Sequence, residues 1–163
     1  MTKFLASTIA GLSLACQAPA ALGEVNHKQL GDHYLQQSQT AAAINEYRQA
    51  ITLNPTSTAV YFNLAIAYYS ERHIKEAAAA LEKLVALDPS DVEAQYNLGC
   101  LKLYQRDLET ASACFQRAKQ CCNRHPEFAS LIDGGLEFVG HFKQLDPQTQ
   151  DAVFLYLLQT LFR

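Results

Sequence analysis

The cysteines and histidines are the residues best suited to covalent or metal chemistry, and the chain carries five of each. Cys100, Cys114, Cys121 and Cys122 lie close together in sequence, and His125 follows Cys121 by four residues. On a helix that spacing puts thiol and imidazole on one face, where they could share a metal ion. A closed zinc site needs about four protein ligands, however, and no second pair accompanies this one. His27, His33, His73 and His141 are scattered, so no metal centre and no cofactor are expected. Disulfide chemistry is limited by geometry. Cys114 and Cys121 on one helix would stand about 10 Å apart along its axis, too far to bridge. Adjacent Cys121 and Cys122 rarely pair, and Cys100 remains open to a cysteine on a neighbouring helix. Packing as small apolar side chains is the plainer role for these thiols. Cys16 differs, because Leu14-Ala15-Cys16 resembles the end of a lipobox and makes Cys16 a candidate for lipidation. Ser13 departs from that pattern, which favours leucine there.

Catalysis finds no other footing. No glycine-rich phosphate loop follows a strand, and no strand is predicted, so neither an enzyme nor a small-molecule substrate is expected. The formal charge of −3 is dispersed along the chain, without the basic run that follows a phosphate backbone. Nucleic acid is therefore not an expected partner. No apolar run reaches the roughly 20 residues of a membrane-spanning helix.

The elements that must position these residues are helical. Leu30, Leu64 and Leu98 recur every 34 residues, as do Ala43, Ala77 and Ala111, and Tyr47, Leu81 and Phe115. Gly31, Ala65 and Gly99 form a column of small residues; Tyr34 and Tyr68 form another that Lys102 interrupts. Ala50, Leu84 and Ala118 add a further column, and Pro55 and Pro89 close the first two units. Such a period marks stacked helical hairpins, expected at 26–37 with 40–53, 58–70 with 74–87, and 92–105 with 108–122. Asn54-Pro55 and Asp88-Pro89 stop helices, and Ser90 with Glu93 reads as a capping box.

Beyond Pro126 the register is lost, but two helices follow. Phe128, Leu131, Ile132, Val139 and Phe142 share one helical face, with a break expected at Gly134-Gly135. Asp146-Pro147 opens the last helix. Its apolar stripe of Phe154, Leu157, Leu158 and Leu161 suits a cap on the array, and also a second interface, such as a homodimer contact. At the other end, Lys3 precedes an uncharged run over residues 4–15 and then Ala18-Pro19-Ala20, so residues 1–20 read as a signal peptide. The expected organisation is a signal over 1–20, repeats at 24–57, 58–91 and 92–125, and a helical cap over 126–163.

The chain resembles the tetratricopeptide repeat family. Tyr61-Phe62-Asn63-Leu64-Ala65-Ile66-Ala67-Tyr68-Tyr69 is similar to that family's first helix, and residues 76–89 are similar to its second helix and terminator. The resemblance implies an all-α, right-handed stack of three hairpins whose first helices line a concave groove. It places Lys28, Asp32 and Leu35, then Phe62, Ile66, Tyr69 and Ser70, then Glu93, Tyr96, Cys100, Leu103 and Tyr104 on that groove. Phe62, Ile66, Tyr69, Tyr96, Leu103 and Tyr104 are the expected anchors for an apolar segment of another protein. Some members of the family clamp a C-terminal carboxylate with lysine, arginine and asparagine. Lys28, Asn63 and Asn97 match such a clamp in kind or place, whereas Asp32 and Glu93 would repel its ligand. The implied function is a non-catalytic binding scaffold, exported to a periplasm or secreted. The alternatives are a cytosolic chaperone of type III secretion translocators, and a membrane-anchored lipoprotein that assists pilus or envelope assembly.

Overall fold

The computed structural model describes residues 26–161, with side chains described as far as Tyr156. The expected signal over 1–20, and Cys16 within it, lie outside the described residues. Among the described residues, eight α-helices and no strand build a right-handed stack of hairpins. They are α1 (His27–Gln36), α2 (Thr40–Leu53), α3 (Thr58–Ser70), α4 (Ile74–Leu87), α5 (Val92–Tyr104), α6 (Leu108–Cys121), α7 (Ala129–Gln144) and α8 (Pro147–Leu161). Short 3₁₀ turns at Cys122–Arg124 and Pro126–Phe128 join α6 to α7. No described helix is long and apolar enough to cross a membrane.

The spacing predicts α2, α3 and α4 to the residue. At α1, α5 and α6 it overruns only into capping residues, such as Asn26, whose side chain accepts from the Gln29 amide at 3.1 Å. Each hairpin turns through a non-glycine residue with left-handed backbone: Ser38, Arg72 and Arg106, at φ 59°, 61° and 61°. That conformation costs an L-residue roughly 1–2 kcal/mol. The turn offsets it by satisfying orphaned carbonyls: the Arg106 amide donates to Leu103 O and the Asp107 amide to Lys102 O, both at 2.9 Å.

The repeat columns are the core. Ala43, Ala77 and Ala111 are fully buried, as are Tyr47 and Phe115. A Cβ added to Gly31 would lie 2.6 Å from Tyr47 Cε1, and one added to Gly99 would lie 2.6 Å from Phe115 Cε1. The two glycines thus leave room for an aromatic ring from the partner helix. In the middle unit, Ala65 and Leu81 fill the same columns, the larger residue of one column matched by the smaller of the other.

Three expectations fail locally. Asp91, not Ser90, caps α5, its carboxylate accepting from the Ala94 amide at 2.9 Å, while Ser90 bonds to Asp88. The helix begins at Val92, which puts Asp91 rather than Ser90 next to the unpaired amides. No break occurs at Gly134-Gly135: α7 runs through both, because Gly135 gives the Phe115 ring room and ion pairs brace α7 against α6 on either side. Those pairs are Lys119–Asp133 and Lys143–Glu109, each at 2.8 Å. Leu131 also departs from the apolar face; it is exposed, while Ile132, Val139 and Phe142 are buried. Phe128 precedes α7 in its 3₁₀ turn and packs against Tyr96.

The start of α8 is as expected. Asp146 Oδ1 accepts from the amides of Gln148 and Thr149, both at 3.1 Å. Gln150 Nε2 donates to Phe142 O and Leu145 O at 3.0 Å, tying the first turn of α8 to the end of α7.

Candidate functional site: an aromatic groove

A cavity of about 510 Å³ opens where α3 and α5 face α7 and α8. All six expected anchors line it: Phe62, Ile66 and Tyr69 from α3, and Tyr96, Leu103 and Tyr104 from α5. Their exposure divides them. Ile66 and Tyr69 are 42% and 44% exposed, so they are open to a visiting chain. Tyr96 is half-buried between the rings of Phe115, at 5.7 Å, and Phe128, at 6.1 Å, so part of it packs the interior. Tyr104 is covered on one side by Phe154, ring centroids 6.3 Å apart.

The opposite wall was not foreseen. Phe138 and Phe142 stack at 5.5 Å on α7, four residues apart, and line the cavity with Gly135. That spacing of two aromatics is itself a helical-face signal. Phe154, expected on a stripe suited to a cap or to a second interface, turns to the groove mouth, where the Arg106 guanidinium carbon sits 4.1 Å from its ring centroid. A cation–π contact and the Tyr104 ring stabilise it there. Among the described side chains of α8, the exposed large apolar ones are Leu155 and Tyr156. The side chains of Leu157, Leu158 and Leu161 lie outside the described residues.

The groove is chemically quiet. Burial, and then the neighbouring Cys100, push the Tyr96 hydroxyl up to about 12. Burial also raises the Cys100 thiol, only partly offset by the Tyr96 hydroxyl, so at neutral pH it is a protonated, poor nucleophile. Cys114 is buried and raised by burial, and Cys122 spends its thiol proton on Lys119 O at 3.1 Å. His125, exposed, meets Glu127 at 3.1 Å.

Away from the cavity, α1, α2 and α3 share an acidic knot. Asp32 accepts from Lys28 Nζ at 2.6 Å, from Tyr47 Oη at 2.8 Å and from Asn63 Nδ2 at 2.7 Å. Burial alone raises this carboxyl, but the three hydrogen bonds outweigh it and hold Asp32 below the usual carboxylate range. Lys28 and Asn63, the groove's clamp-like pair, are therefore both committed to a carboxylate of the chain itself. Lys28, Asp32 and Leu35 lie outside the cavity lining, whereas Asn97 is part of it. Glu93 is exposed on α5.

Comparison with known proteins agrees with this architecture. Residues 31–71 match the family pattern described as TPR repeat, and residues 58–91 and 92–120 match tetratricopeptide repeat patterns. A protein O-mannosyl-transferase of Caenorhabditis elegans is 38% identical over 72 residues, which is 44% of this chain and 10% of that protein. The chain thus spans a small part of that relative's length. Among solved structures, the Yersinia enterocolitica type III secretion translocator chaperone SycD superposes with a TM-score of 0.67 at 15% identity, covering 77% of this chain and 93% of its own. The first TPR domain of Spaghetti, solved with the HSP90 peptide SRMEEVD, gives 0.63 at 22% identity, covering 73% and 91%. At such identities these two likenesses speak for the fold. The family matches run without a gap over more than half of the chain, which belongs to the tetratricopeptide repeat family.

Proposed function

We propose that this chain is a non-catalytic adaptor that captures an apolar segment of another protein in the groove between α3, α5 and α7. The observation that carries the reading is the cavity wall, built from aromatic and aliphatic side chains, with the exposed Ile66 and Tyr69 at its open side. Rings there can bury large area at low conformational cost. Two solved proteins of this fold are described with protein partners: one holds an HSP90 peptide and the other is a translocator chaperone. The peptide SRMEEVD is acidic, and Asp32 argues against a ligand of that kind at the α1 end, because it already consumes Lys28 and Asn63. An apolar segment fits better.

The direct test is site-specific photo-crosslinking in the native host. A benzoylphenylalanine placed at Ile66 should capture one discrete partner band, and one placed at exposed Lys83 on α4 should not. Equal capture at both positions removes the groove assignment.

Export is a separate proposal, supported by Lys3, the uncharged run over residues 4–15 and Ala18-Pro19-Ala20. Natively produced protein should then begin near Ala21 by mass spectrometry, or at an acylated Cys16 if the lipobox is read. An intact Met1 in cytosolic protein would favour the secretion-chaperone alternative.

A further inference from the structure

We infer that α8 is a built-in occupant of the groove mouth, and that the partner displaces it with a helical segment of the same chemistry: an aromatic side chain one turn after an acidic one. The inference rests on the groove being the partner site. On α8, Asp151 and Phe154 are three residues apart and share a face. Both engage one cation: Arg106 Nη1 donates to Asp151 Oδ1 at 2.6 Å, and the Arg106 guanidinium covers the Phe154 ring at 4.1 Å. The cation is held in place by the turn itself, since Arg106 is the left-handed residue between α5 and α6. Tyr104, on the last turn of α5, completes the seat for the ring.

Two properties make this seat exchangeable. Asp151 and Arg106 are 63% and 47% exposed, so their ion pair is solvated and holds α8 weakly. Among the described side chains, Phe154 is the one from α8 in the cavity lining, and the exposed Ile66 and Tyr69 on α3 leave the far side of the groove open to an incoming chain. A visiting helix can therefore gain its first contacts on α3 before it replaces Phe154. An incoming acidic side chain is met by the Arg106 guanidinium at the α8 side of the cavity, which sets the direction in which a segment lies.

The test uses the full chain and the thiol inside the groove. Cys100 lines the cavity, and Cys114 is buried as an internal control. Alkylation by N-ethylmaleimide, followed by mass spectrometry, should be about fivefold or more faster at Cys100 in Asp151→Arg and in Phe154→Ala than in wild type. Cys114 should stay protected in all forms, which separates opening of α8 from unfolding. The charge swap Arg106→Asp with Asp151→Arg should return Cys100 part of the way to the slow rate, because it restores the ion pair but not the cation over the Phe154 ring. In a second arm, a fluorescein-labelled peptide of residues 147–161 should bind the Phe154→Ala chain about fivefold more tightly than wild type, since the competing helix has lost its anchor. Equal Cys100 rates in every form, or a peptide that binds both chains equally or neither, overturn the inference. Crosslinking at Ile66 decides independently whether the groove takes a partner at all.

Discussion

Replacing Ile66 and Tyr69 together by alanine should lower affinity for the captured partner about a hundredfold or more and leave the array folded. Both side chains are more than two-fifths exposed and line the cavity, and neither belongs to a buried column. Central anchors at protein interfaces are worth about 2 kcal/mol each on truncation, and 1.4 kcal/mol is a factor of ten. Truncating an exposed side chain changes stability by about 0.5 kcal/mol or less, so melting should hardly move. Lys83→Ala on α4 should change neither quantity. Titration of the crosslinked partner, once purified, reads the effect. Wild-type affinity in the double variant, with binding lost instead on altering Leu155 and Tyr156, would move the working surface to the outer face of α8.

The groove anchors on α3 and α5 were legible because the 34-residue period assigns a face to every position inside the hairpins. Phe62 and Tyr96, one period apart, were placed on one wall without any knowledge of distance, and both line the cavity. The second wall was not legible. Where Phe138 and Phe154 point depends on how α7 and α8 dock, and that is decided by contacts remote in sequence: Phe115 with Gly135, Glu109 with Lys143, and Arg106 with Asp151. Beyond Pro126 no period relates α7 and α8 to the earlier units. The apolar stripe on α8 read as a cap or as a cap with a second interface, because nothing local reveals which of its rings Arg106 and Tyr104 seat. The uninterrupted α7 has the same origin. Helix propensity counts Gly135 as a weakness, yet the Phe115 ring occupies the space that a side chain there would need.

The paired columns of small and large residues yield the second large effect, and its sign depends on which glycine is changed. Gly99→Ala should lower the melting temperature by about 3–6 °C, and Gly134→Ala should raise it. Both glycines are helical, so alanine gains each about 1 kcal/mol in intrinsic propensity. A Cβ at Gly134 meets nothing within 4 Å and keeps that gain. A Cβ at Gly99 stands 2.6 Å from Phe115 Cε1, and Phe115 is fully buried beside Tyr96, so the ring must leave its packed position and turn toward the cavity it lines. Overpacking of this kind costs about 1–3 kcal/mol, which outweighs the propensity gain. In a chain of this size each kcal/mol shifts melting by about 2–4 °C. The middle repeat shows how the clash can be relieved, because Ala65 and Leu81 occupy the corresponding positions. Gly99→Ala should therefore be tolerated better beside Phe115→Leu than beside the native ring, with a coupling of about 1–3 kcal/mol in a double-mutant cycle. Additive effects, or a Gly99→Ala protein more stable than wild type, would mean that the two columns do not meet as the repeat geometry requires.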